Sequence, residues 1–233
     1  MKVEAIILAG GQGTRLLSVV SDVPKCMAPV AGKPFLHYLL SNLETAGFQH
    51  VILALGYKHE KIEMWLNDYK TSLKITSVAE DTPLGTGGAV KLAMSQATQT
   101  SVFVLNGDSY LELDYKALLK FHIEKKVSAT IALKQMYHFD RFGKVEINSN
   151  DQIIRFREKQ FCDSGFINGG VYVMNRMVLE KFPDKFSLEK DFFEQEAKTG
   201  KLAGFQTTGY FIDIGIPDDY SRAQNDFLKF NKV

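Results

Sequence analysis

The chain has 233 residues, of which 45% are hydrophobic, so it is long and apolar enough to form one large α/β domain. A formal net charge of +1 provides no overall basic field and argues against nucleic acid or an anionic membrane as a partner. The apolar run at residues 5–9 is too short for a secretory signal or a transmembrane helix, so we expect a cytoplasmic location. Cys26 and Cys162 lack metal-type spacing and are expected to be free thiols.

The first half of the chain alternates buried strands with helical patterns. Residues 5–9 are typical of a fully buried strand in a parallel sheet. Pro34 is a good first helical residue, and leucines recur behind it at helical spacing until Gly47. The alternation continues with a strand at 51–55, a helix near 58–69, a strand within 73–79, a helix near 88–97 and a strand at 101–108. This repetition predicts a Rossmann-like, doubly wound α/β fold, with a mostly parallel sheet flanked by helices.

From about residue 128 the pattern changes to shorter strands that are separated by turn residues. The apolar stretches that predict these strands are 128–136, 143–148, 152–158 and 168–175. Such a meander indicates mixed or antiparallel pairing. No linker-like, repetitive or low-complexity segment interrupts the chain, so residues 1–233 are predicted to form a single domain.

A glycine-rich loop follows the first predicted strand. Gly10, Gly11 and Gly13 lack β-carbons, which allows backbone amides to approach a phosphate or a base edge beside Arg15. Two familiar nucleotide-binding loops do not match this stretch. Leu16 stands where a dinucleotide-binding turn needs its third glycine, and no acidic ribose ligand follows the second strand. The Gly-Lys-Pro sequence at 32–34 lacks the hydroxyl residue of a P-loop.

Three motifs in a fixed order identify the family that the sequence resembles. The stretch GQGTRL, which ends at Leu16, is followed by Pro24-Lys25 and then by the Gly-Lys-Pro sequence and a helix. This order resembles the signature of the sugar-nucleotide pyrophosphorylases, nucleotidyltransferases that join a nucleoside triphosphate to a sugar 1-phosphate. The resemblance continues through EDTPLGTGGAV, VLNGDSYLELD, FREK, FINGGVYVMN and GYFIDIGIPDDYSRA, and so covers nearly the whole chain.

Within that family the sequence is most similar to the guanylyltransferases that make GDP-heptose or GDP-mannose. The resemblance implies an enzyme that joins GTP and D-glycero-α-D-manno-heptose 1-phosphate and releases pyrophosphate, with mannose 1-phosphate as the alternative sugar. It also implies that the nucleotide-binding half is about residues 1–110 and the sugar-binding half about residues 111–233.

The chemistry of this transfer requires cations, because two anionic substrates must approach each other in line. Arg15 can bind the β- and γ-phosphates with its planar guanidinium, and Lys25 can place a compact charge on the α-phosphate. The resemblance implies that Asp108 and Asp213 bind one Mg²⁺, which prefers hard oxygen ligands. Arg15, Lys25 and Asp108 are therefore the expected catalytic residues.

Glycine-rich loops are expected to select the base and the sugar. Glu80 is the candidate for guanine recognition, because a carboxylate can accept from both N–H groups on the pairing edge of guanine. The resemblance implies that the nucleotide is bound by Leu8, Ala9, Gly10, Gly11, Gly13, Thr14, Arg15, Lys25, Glu80, Pro83, Gly85, Thr86 and Gly87. It implies that the sugar phosphate is bound by Asn106, Gly143, Glu158, Lys159, Asn168, Gly169 and Gly170.

Two other classes of function fit parts of this pattern. A non-catalytic nucleotide or sugar-phosphate sensor would share the glycine loops, but it could dispense with Lys25 or one of the aspartates, which are all present. Transfer of a cytidylyl group, or of another nucleotide, to a non-sugar alcohol phosphate is disfavoured by the matching sugar loops. The expected partners are GTP, a sugar 1-phosphate and Mg²⁺, without nucleic acid or membrane, and the sequence leaves a homo-oligomer open.

Overall fold

The computed structural model describes residues 3–11, 16, 20 and 22–230, except for the side chain of Phe230. Gly13, Thr14 and Arg15 of the predicted site lie outside the described residues. Within the described part, no helix is both long enough and apolar enough to cross a membrane.

Strands and helices alternate along the first half of the chain and strands dominate the second. The described strands are β1 (Glu4–Leu8), β2 (Pro29–Val30), β3 (Lys33–Pro34), β4 (His50–Leu55), β5 (Lys74–Ala79), β6 (Ser101–Asn106), β7 (Ser109–Leu111), β8 (Ala129–Phe139), β9 (Gly143–Ile147), β10 (Ile153–Lys159), β11 (Cys162–Asn175), β12 (Leu202–Thr207) and β13 (Phe211–Asp213). The described α-helices are α1 (Phe35–Thr45), α2 (His59–Asn67), α3 (Gly85–Met94), α4 (Tyr115–Lys125), α5 (Glu194–Lys198) and α6 (Pro217–Phe230). A 3₁₀ turn covers Lys25–Met27, and a π-helical turn covers Leu188–Phe193.

Nine of these strands form one mixed sheet. Its order is β12-β8-β11-β6-β1-β4-β5, with β9 and β10 added beside β11. Strand β1 pairs in parallel with β4 and β6, and β4 pairs in parallel with β5. Strand β11 runs antiparallel to β6, β8 and β9. The structure therefore confirms the predicted doubly wound fold, including the mixed pairing that begins in the second half.

Helices cover both faces of the sheet, and strand β1 shows why its sequence is continuously apolar. Ile7 belongs to the hydrophobic cluster that packs against α1, α2, α4 and α6. Its neighbour Ile6 belongs to the cluster on the opposite face, which contains α3 and the π-helical turn. Both side chains are fully buried. A strand that is buried on both faces cannot alternate polar and apolar residues, so it appears in the sequence as an uninterrupted hydrophobic run.

The carboxyl ends of β1 and β6 meet at one edge of the sheet. The Gly107 amide donates to the Leu8 carbonyl at 3.0 Å, and a β-carbon on Gly107 would overlap that carbonyl. The Ala9 amide likewise donates to the Ala54 carbonyl at 2.8 Å. These contacts join the loops that follow the central strands, so the residues just beyond Leu8 and Gly107 face one another at the edge where ligands of doubly wound sheets bind.

Helix α3 begins at Gly85, three residues before the predicted start near residue 88. The segment at residues 184–186 packs directly over this first turn. Gly85 has a φ of +74°, and a β-carbon there would lie 2.6 Å from the Phe186 carbonyl oxygen. A β-carbon on Gly88 would overlap the Asp184 carbonyl. The glycine-rich sequence, which predicts a loop on its own, is accommodated as a helical turn because another segment covers it.

Candidate active site

A cavity of about 330 Å³ opens at the carboxyl ends of β1, β5 and β6. Its wall combines the glycine loop after β1, the first turn of α3 and the turn after β6. The residues that line it are Leu8, Ala9, Gly10, Gly11, Lys25, Cys26, Glu80, Pro83, Gly85, Thr86, Ala89, Asn106, Gly107, Asp108 and Glu189. Most of the described residues that were predicted to bind a nucleotide are therefore on one continuous surface.

Lys25 lies in the 3₁₀ turn after Pro24 and extends its side chain into the cavity wall. Only 9% of the residue is exposed. Its ammonium forms an ion pair with the Asp108 carboxylate, and Nζ lies 3.5 Å from Oδ1 of Asp213. Gly215 leaves room for this arrangement, because a β-carbon there would lie 2.8 Å from the Lys25 Nζ. The buried lysine is thus compensated by two carboxylates.

The pairing of two short strands brings Asp108 and Asp213 together. Strand β13 runs antiparallel to β7 with Asp213 opposite Ser109, the residue that follows Asp108. The Ile214 amide also donates to the Asp108 carbonyl at 3.0 Å. Side-chain contacts then orient the carboxylates: Ser109 Oγ donates to Asp108 at 3.2 Å, and the Gly215 amide donates to Asp213 at 2.6 Å. A two-stranded ladder therefore determines the geometry of the acidic pair.

The electrostatics of this pair depend on burial and on mutual repulsion. Burial raises the pKa of Asp213, and the negative charge of Asp108 raises it further, whereas the Lys25 ammonium lowers it. The net direction is upward from the ordinary value for aspartate. Bringing a cation to this end of the cavity stabilises the ionised form of both carboxylates.

The oxygen donors of Asp108 and Asp213 fit a hard divalent cation. Among the described residues, no group of three or more histidine, cysteine, aspartate or glutamate side chains could hold a metal ion. A metal at the two aspartates would therefore take further ligands from water and from a bound phosphate. This mixed ligand set is the one that Mg²⁺ favours in phosphate sites.

Glu80 lies at a different part of the cavity wall, next to the loop after β1. Its Oε2 accepts a hydrogen bond from the Leu84 amide at 3.0 Å. Gly56 leaves space for the carboxylate in this position, since a β-carbon at Gly56 would lie 2.8 Å from Oε1 of Glu80. Gly56 also lies against Gly10, whose carbonyl accepts from the Tyr57 amide at 3.3 Å. The carboxylate is therefore held beside Gly10 and is separate from the lysine–aspartate cluster.

Gly87 has a different environment from the other predicted nucleotide-binding residues. The Phe186 ring occupies the space where a β-carbon would be, and the Gly87 amide donates to the Phe186 carbonyl at 3.0 Å. Gly87 is buried and is not part of the cavity wall. Packing of this ring requires glycine here, and the contact of Gly87 with a nucleotide stays a prediction.

Asn106, Asn168 and Gly170 form the part of the predicted sugar site that adjoins the cavity. Asn168 accepts a hydrogen bond from the Gly170 amide at 2.9 Å and donates to the Tyr172 hydroxyl at 3.1 Å. Gly170 has a φ of +73°, and a β-carbon there would lie 3.1 Å from the Asn106 amide nitrogen. Gly169 packs against the Ala132 carbonyl, which a β-carbon would approach to 2.9 Å. The irregular pairing of β11 between Asn168 and Tyr172 creates this local geometry.

The remaining predicted sugar-binding residues lie on the branch of the sheet formed by β9 and β10. Lys159 pairs with Gly143 across these strands, and both Glu158 and Lys159 are exposed. None of the three lines the cavity. Ile167 of β11 pairs with Lys144 of β9, and the next residues along this pairing are Asn168 and Gly143, so the β9–β10 branch adjoins the strand that carries Asn168.

Sequence reasoning assigned no role to two side chains that line the cavity. Cys26 donates to the Ala9 carbonyl with Sγ at 3.8 Å, and burial followed by the charge of Asp108 raises the pKa of its thiol to about 12. It is a free, neutral thiol, as is expected of a buried cysteine. Glu189 lies in the π-helical turn, which is remote in sequence from every glycine loop, so no local pattern indicates its position.

The edge of this doubly wound sheet carries glycine-rich loops, a buried lysine and two convergent aspartates. These features are typical of an α/β protein that binds anionic, phosphate-containing ligands. The chain belongs to the nucleotidyl transferase family, whose model matches residues 4–229, and it is an enzyme of that family. The family and fold that the sequence predicted are therefore confirmed.

Relatives cover almost the whole chain. It is 46% identical over 229 residues to the D-glycero-α-D-manno-heptose 1-phosphate guanylyltransferase of Aneurinibacillus thermoaerophilus, covering 97% of this chain and 99% of that protein. It is 42% identical over 219 residues to the protein of the same name from Campylobacter jejuni, covering 93% and 96% respectively.

Solved structures show the same similarity. HddC from Yersinia pseudotuberculosis, in complex with GMP-PN, has a TM-score of 0.88 and 39% identity, with 97% of this chain and 99% of that chain covered. A putative glucose-1-phosphate thymidylyltransferase from Bacillus anthracis, with 20% identity and a TM-score of 0.82, shares the fold over 96% of this chain and 94% of that chain.

Proposed function

We propose that the chain transfers GMP from GTP to D-glycero-α-D-manno-heptose 1-phosphate, forming GDP-heptose and pyrophosphate. The observation that carries the proposal is the convergence of Asp108 and Asp213 on Lys25, beside a cavity whose wall contains Lys25, Asp108 and the Glu80 carboxylate. The names of the relatives at 46% and 42% identity support the choice of sugar and nucleotide.

The reaction forms one phosphorus–oxygen bond and breaks another. A phosphate oxygen of the sugar 1-phosphate attacks the α-phosphorus of GTP, and the bond to the bridging oxygen of the β-phosphate breaks, so that pyrophosphate leaves. Lys25 would stabilise negative charge on the α-phosphate oxygens, because its ammonium already lies at the buried end of the cavity. Arg15 would bind the β- and γ-phosphates with its planar guanidinium.

Asp108 and Asp213 would hold Mg²⁺, which supplies charge neutralisation for the phosphates when bound. The convergence of two carboxylates at one point supports this assignment, since carboxylate oxygens are ligands that Mg²⁺ prefers. A cation held there would compete with the Lys25 ammonium for these oxygen atoms.

Guanine recognition would fall to Glu80 and to the backbone beside it. Glu80 Oε1 would accept from the N1–H and the amino group of guanine, while Oε2 is held by the Leu84 amide. The loop residues Leu8 to Gly11, together with Pro83, Gly85 and Thr86, would form the remaining wall against the base and ribose. The structure of HddC in complex with GMP-PN supports a guanine nucleotide as the ligand.

The sugar 1-phosphate would bind from the side of Asn106, Asn168, Gly169 and Gly170. Their hydrogen bonds form a preorganised surface next to Asp108. Glu158, Lys159 and Gly143 would extend this surface along the β9–β10 branch, because β9 pairs with β11 up to the residue before Asn168. Most of the proposed nucleotide-binding residues lie within 1–110 and most of the proposed sugar-binding residues within 111–233, with Asn106 as an exception.

The cellular setting follows from the proposed substrates. GTP and a sugar 1-phosphate are cytoplasmic metabolites, so the cytoplasm is the proposed location. A homo-oligomer is compatible with the proposal, which requires no residue from a second copy.

The deciding experiment is a matrix of pyrophosphate-release assays with Mg²⁺. The four nucleoside triphosphates and dTTP would each be paired with manno-heptose 1-phosphate, mannose 1-phosphate and glucose 1-phosphate. We expect GTP with manno-heptose 1-phosphate to give the highest kcat/KM. A preference for mannose 1-phosphate would mean that mannose 1-phosphate, and not the heptose 1-phosphate, is the sugar substrate. Equal use of UTP or CTP would refute the selection of guanine. If no pair releases pyrophosphate, a non-catalytic binding protein is favoured.

A further inference from the structure

A carboxylate outside every recognised motif lines the same cavity. Glu189 lies in the π-helical turn and reaches the wall beside Thr86. Its Oε2 accepts hydrogen bonds from Thr86 Oγ1 at 2.6 Å and from Ser187 Oγ at 3.0 Å. Thr86 Oγ1 in turn accepts from the Leu188 amide at 2.9 Å. These contacts hold the carboxylate in one orientation and fix the first turn of α3 to the π-helical turn.

The second oxygen of Glu189 is available to a ligand. Within the described part of the chain, Oε1 makes no hydrogen bond, and no lysine, arginine or histidine nitrogen lies within 4.0 Å of the carboxylate. The cavity is proposed to admit a triphosphate, so an uncompensated negative charge on its wall is unfavourable unless it faces a hydrogen-bond donor. A neutral hydroxyl group of a substrate is such a donor, whereas a phosphate is not.

The surroundings of Glu189 distinguish it from Glu80. Glu189 and Asp108 both line the cavity, and their charges add to the burial that raises the pKa of Tyr172. The Tyr172 hydroxyl accepts from Asn168, which belongs to the proposed sugar surface. Glu80 instead packs against Gly56. Glu189 therefore lies toward the part of the cavity where hydroxyl-bearing rings would bind.

The geometry points to Glu189 as a specificity-determining residue whose free Oε1 accepts hydrogen bonds from a vicinal diol of a substrate. One carboxylate oxygen has two lone pairs and can accept from two neighbouring hydroxyl groups. The diol belongs either to the ribose of the nucleotide or to the ring of the sugar 1-phosphate. This inference rests on the proposed function, because it assumes that the cavity admits these two substrates.

The test compares deoxy analogues in the unaltered enzyme and in Glu189→Gln. KM and kcat are measured with GTP, 2′-deoxy-GTP and 3′-deoxy-GTP, and separately with the sugar 1-phosphate and its 2-deoxy and 3-deoxy analogues. We expect removal of a diol hydroxyl to raise KM about tenfold in the unaltered enzyme and by less than about threefold in Glu189→Gln, since a neutral amide accepts more weakly than a carboxylate. The substrate series in which the effect on KM is smaller in Glu189→Gln than in the unaltered enzyme identifies the diol.

Asp191→Asn is the matched control, because Asp191 lies in the same turn and accepts from the Ser187 amide at 2.7 Å without lining the cavity. This variant should discriminate between each substrate and its deoxy analogues as strongly as the unaltered enzyme does. Equal discrimination by Glu189→Gln and the unaltered enzyme in both series would overturn the inference and leave Glu189 as a clamp on Thr86. If the unaltered enzyme prefers a nucleotide other than GTP, the guanine assignment is wrong but the inference about Glu189 is not. The deoxy forms of the preferred nucleotide then test Glu189.

Discussion

The Lys25 ammonium contacts the carboxylates of Asp108 and Asp213 at once, with Nζ 3.5 Å from Oδ1 of Asp213. The aspartate side chains are 34% and 20% exposed, so all three groups are partly or largely withdrawn from water. Lysine therefore supplies the positive charge that two neighbouring carboxylates require. A divalent cation would compete with Lys25 for the same oxygen atoms.

This competition predicts that Lys25→Met binds a divalent cation more tightly in the absence of nucleotide. Removal of the ammonium should lower the dissociation constant for Mn²⁺ about tenfold, measured by electron paramagnetic resonance, because one competing unit charge is lost. Lys120→Met is the control, since Lys120 is exposed and lies 3.8 Å from its own carboxylate partner, Glu124. Weaker or unchanged Mn²⁺ binding in Lys25→Met would contradict the competition.

A second prediction concerns the joint action of the aspartates. Asp108→Asn and Asp213→Asn are each expected to lower Mg²⁺-supported turnover about a hundredfold, because each removes a carboxylate from one cation site. The double variant should be little worse than either single variant, since residues that act as a unit are not additive. Turnover measured against Mg²⁺ concentration checks this, with exposed Asp68→Asn as the control. Losses that multiply in the double variant would mean that the two aspartates act separately.

Gly215→Ala tests whether the spacing of the charged cluster matters apart from its charge. The added β-carbon would lie 2.6 Å from Asp213 Oδ1 and 2.8 Å from Lys25 Nζ, so one of these groups must move. We expect kcat to fall about tenfold, since small misplacement of a positioned group is costly in catalysis. Thermal unfolding should change little.

Gly165→Ala provides the control for that variant, because a β-carbon there would meet only the flexible Lys144 side chain. It should leave kcat close to that of the unaltered enzyme. Normal turnover in Gly215→Ala would show that the cluster tolerates displacement, whereas an equal fall in both variants would indicate a general response to alanine.

The opposite edge of the sheet leads to a prediction about stability and pH. Glu4 is 4% exposed and accepts hydrogen bonds from the Thr98 and Gln99 amides at 2.7 and 2.8 Å and from His50 at 3.0 Å. Burial raises the pKa of Glu4, but the hydrogen bonds from His50 and the two amides outweigh burial and lower it to about 2. The ionised carboxylate therefore stabilises the folded chain.

Because the pKa of Glu4 is lower in the folded chain than in the unfolded chain, its stabilisation is complete above the unfolded value of 4.5 and is lost as pH falls toward about 2. Glu4→Gln should lower the free energy of unfolding at pH 7 by about 2 kcal/mol and reduce its dependence on pH between those values. Urea unfolding across this range measures both effects. The exposed Glu180→Gln variant should show neither, and an unchanged pH profile in Glu4→Gln would refute the assignment.

Several local features could be predicted because short-range physics determines them. The run at residues 5–9 indicated a buried strand, since only a strand covered on both faces is apolar at every position. Aspartate is a residue type favoured at a helix N-cap, and the Asp114 side chain accepts from the Lys116 and Ala117 amides at the start of α4. The order of motifs, in turn, was sufficient to identify the family and its fold.

Other features depended on segments that meet only after folding. The sequence placed Asp108 and Asp213 at strand ends, but the β7–β13 ladder decides their separation and the burial of Lys25 between them. The sequence also could not show that Phe186 covers Gly87.

By itself, then, the sequence determined the alternation of strands and helices up to β6, the four strands β8 to β11 and the family, because these depend on local periodicity and motif spacing. Only the tertiary structure decided which charges compensate one another and that Glu189 enters the cavity beside Thr86, 103 positions away in the chain. Those contacts join residues that are distant in sequence, and their energies depend on distance and burial, which no local pattern encodes.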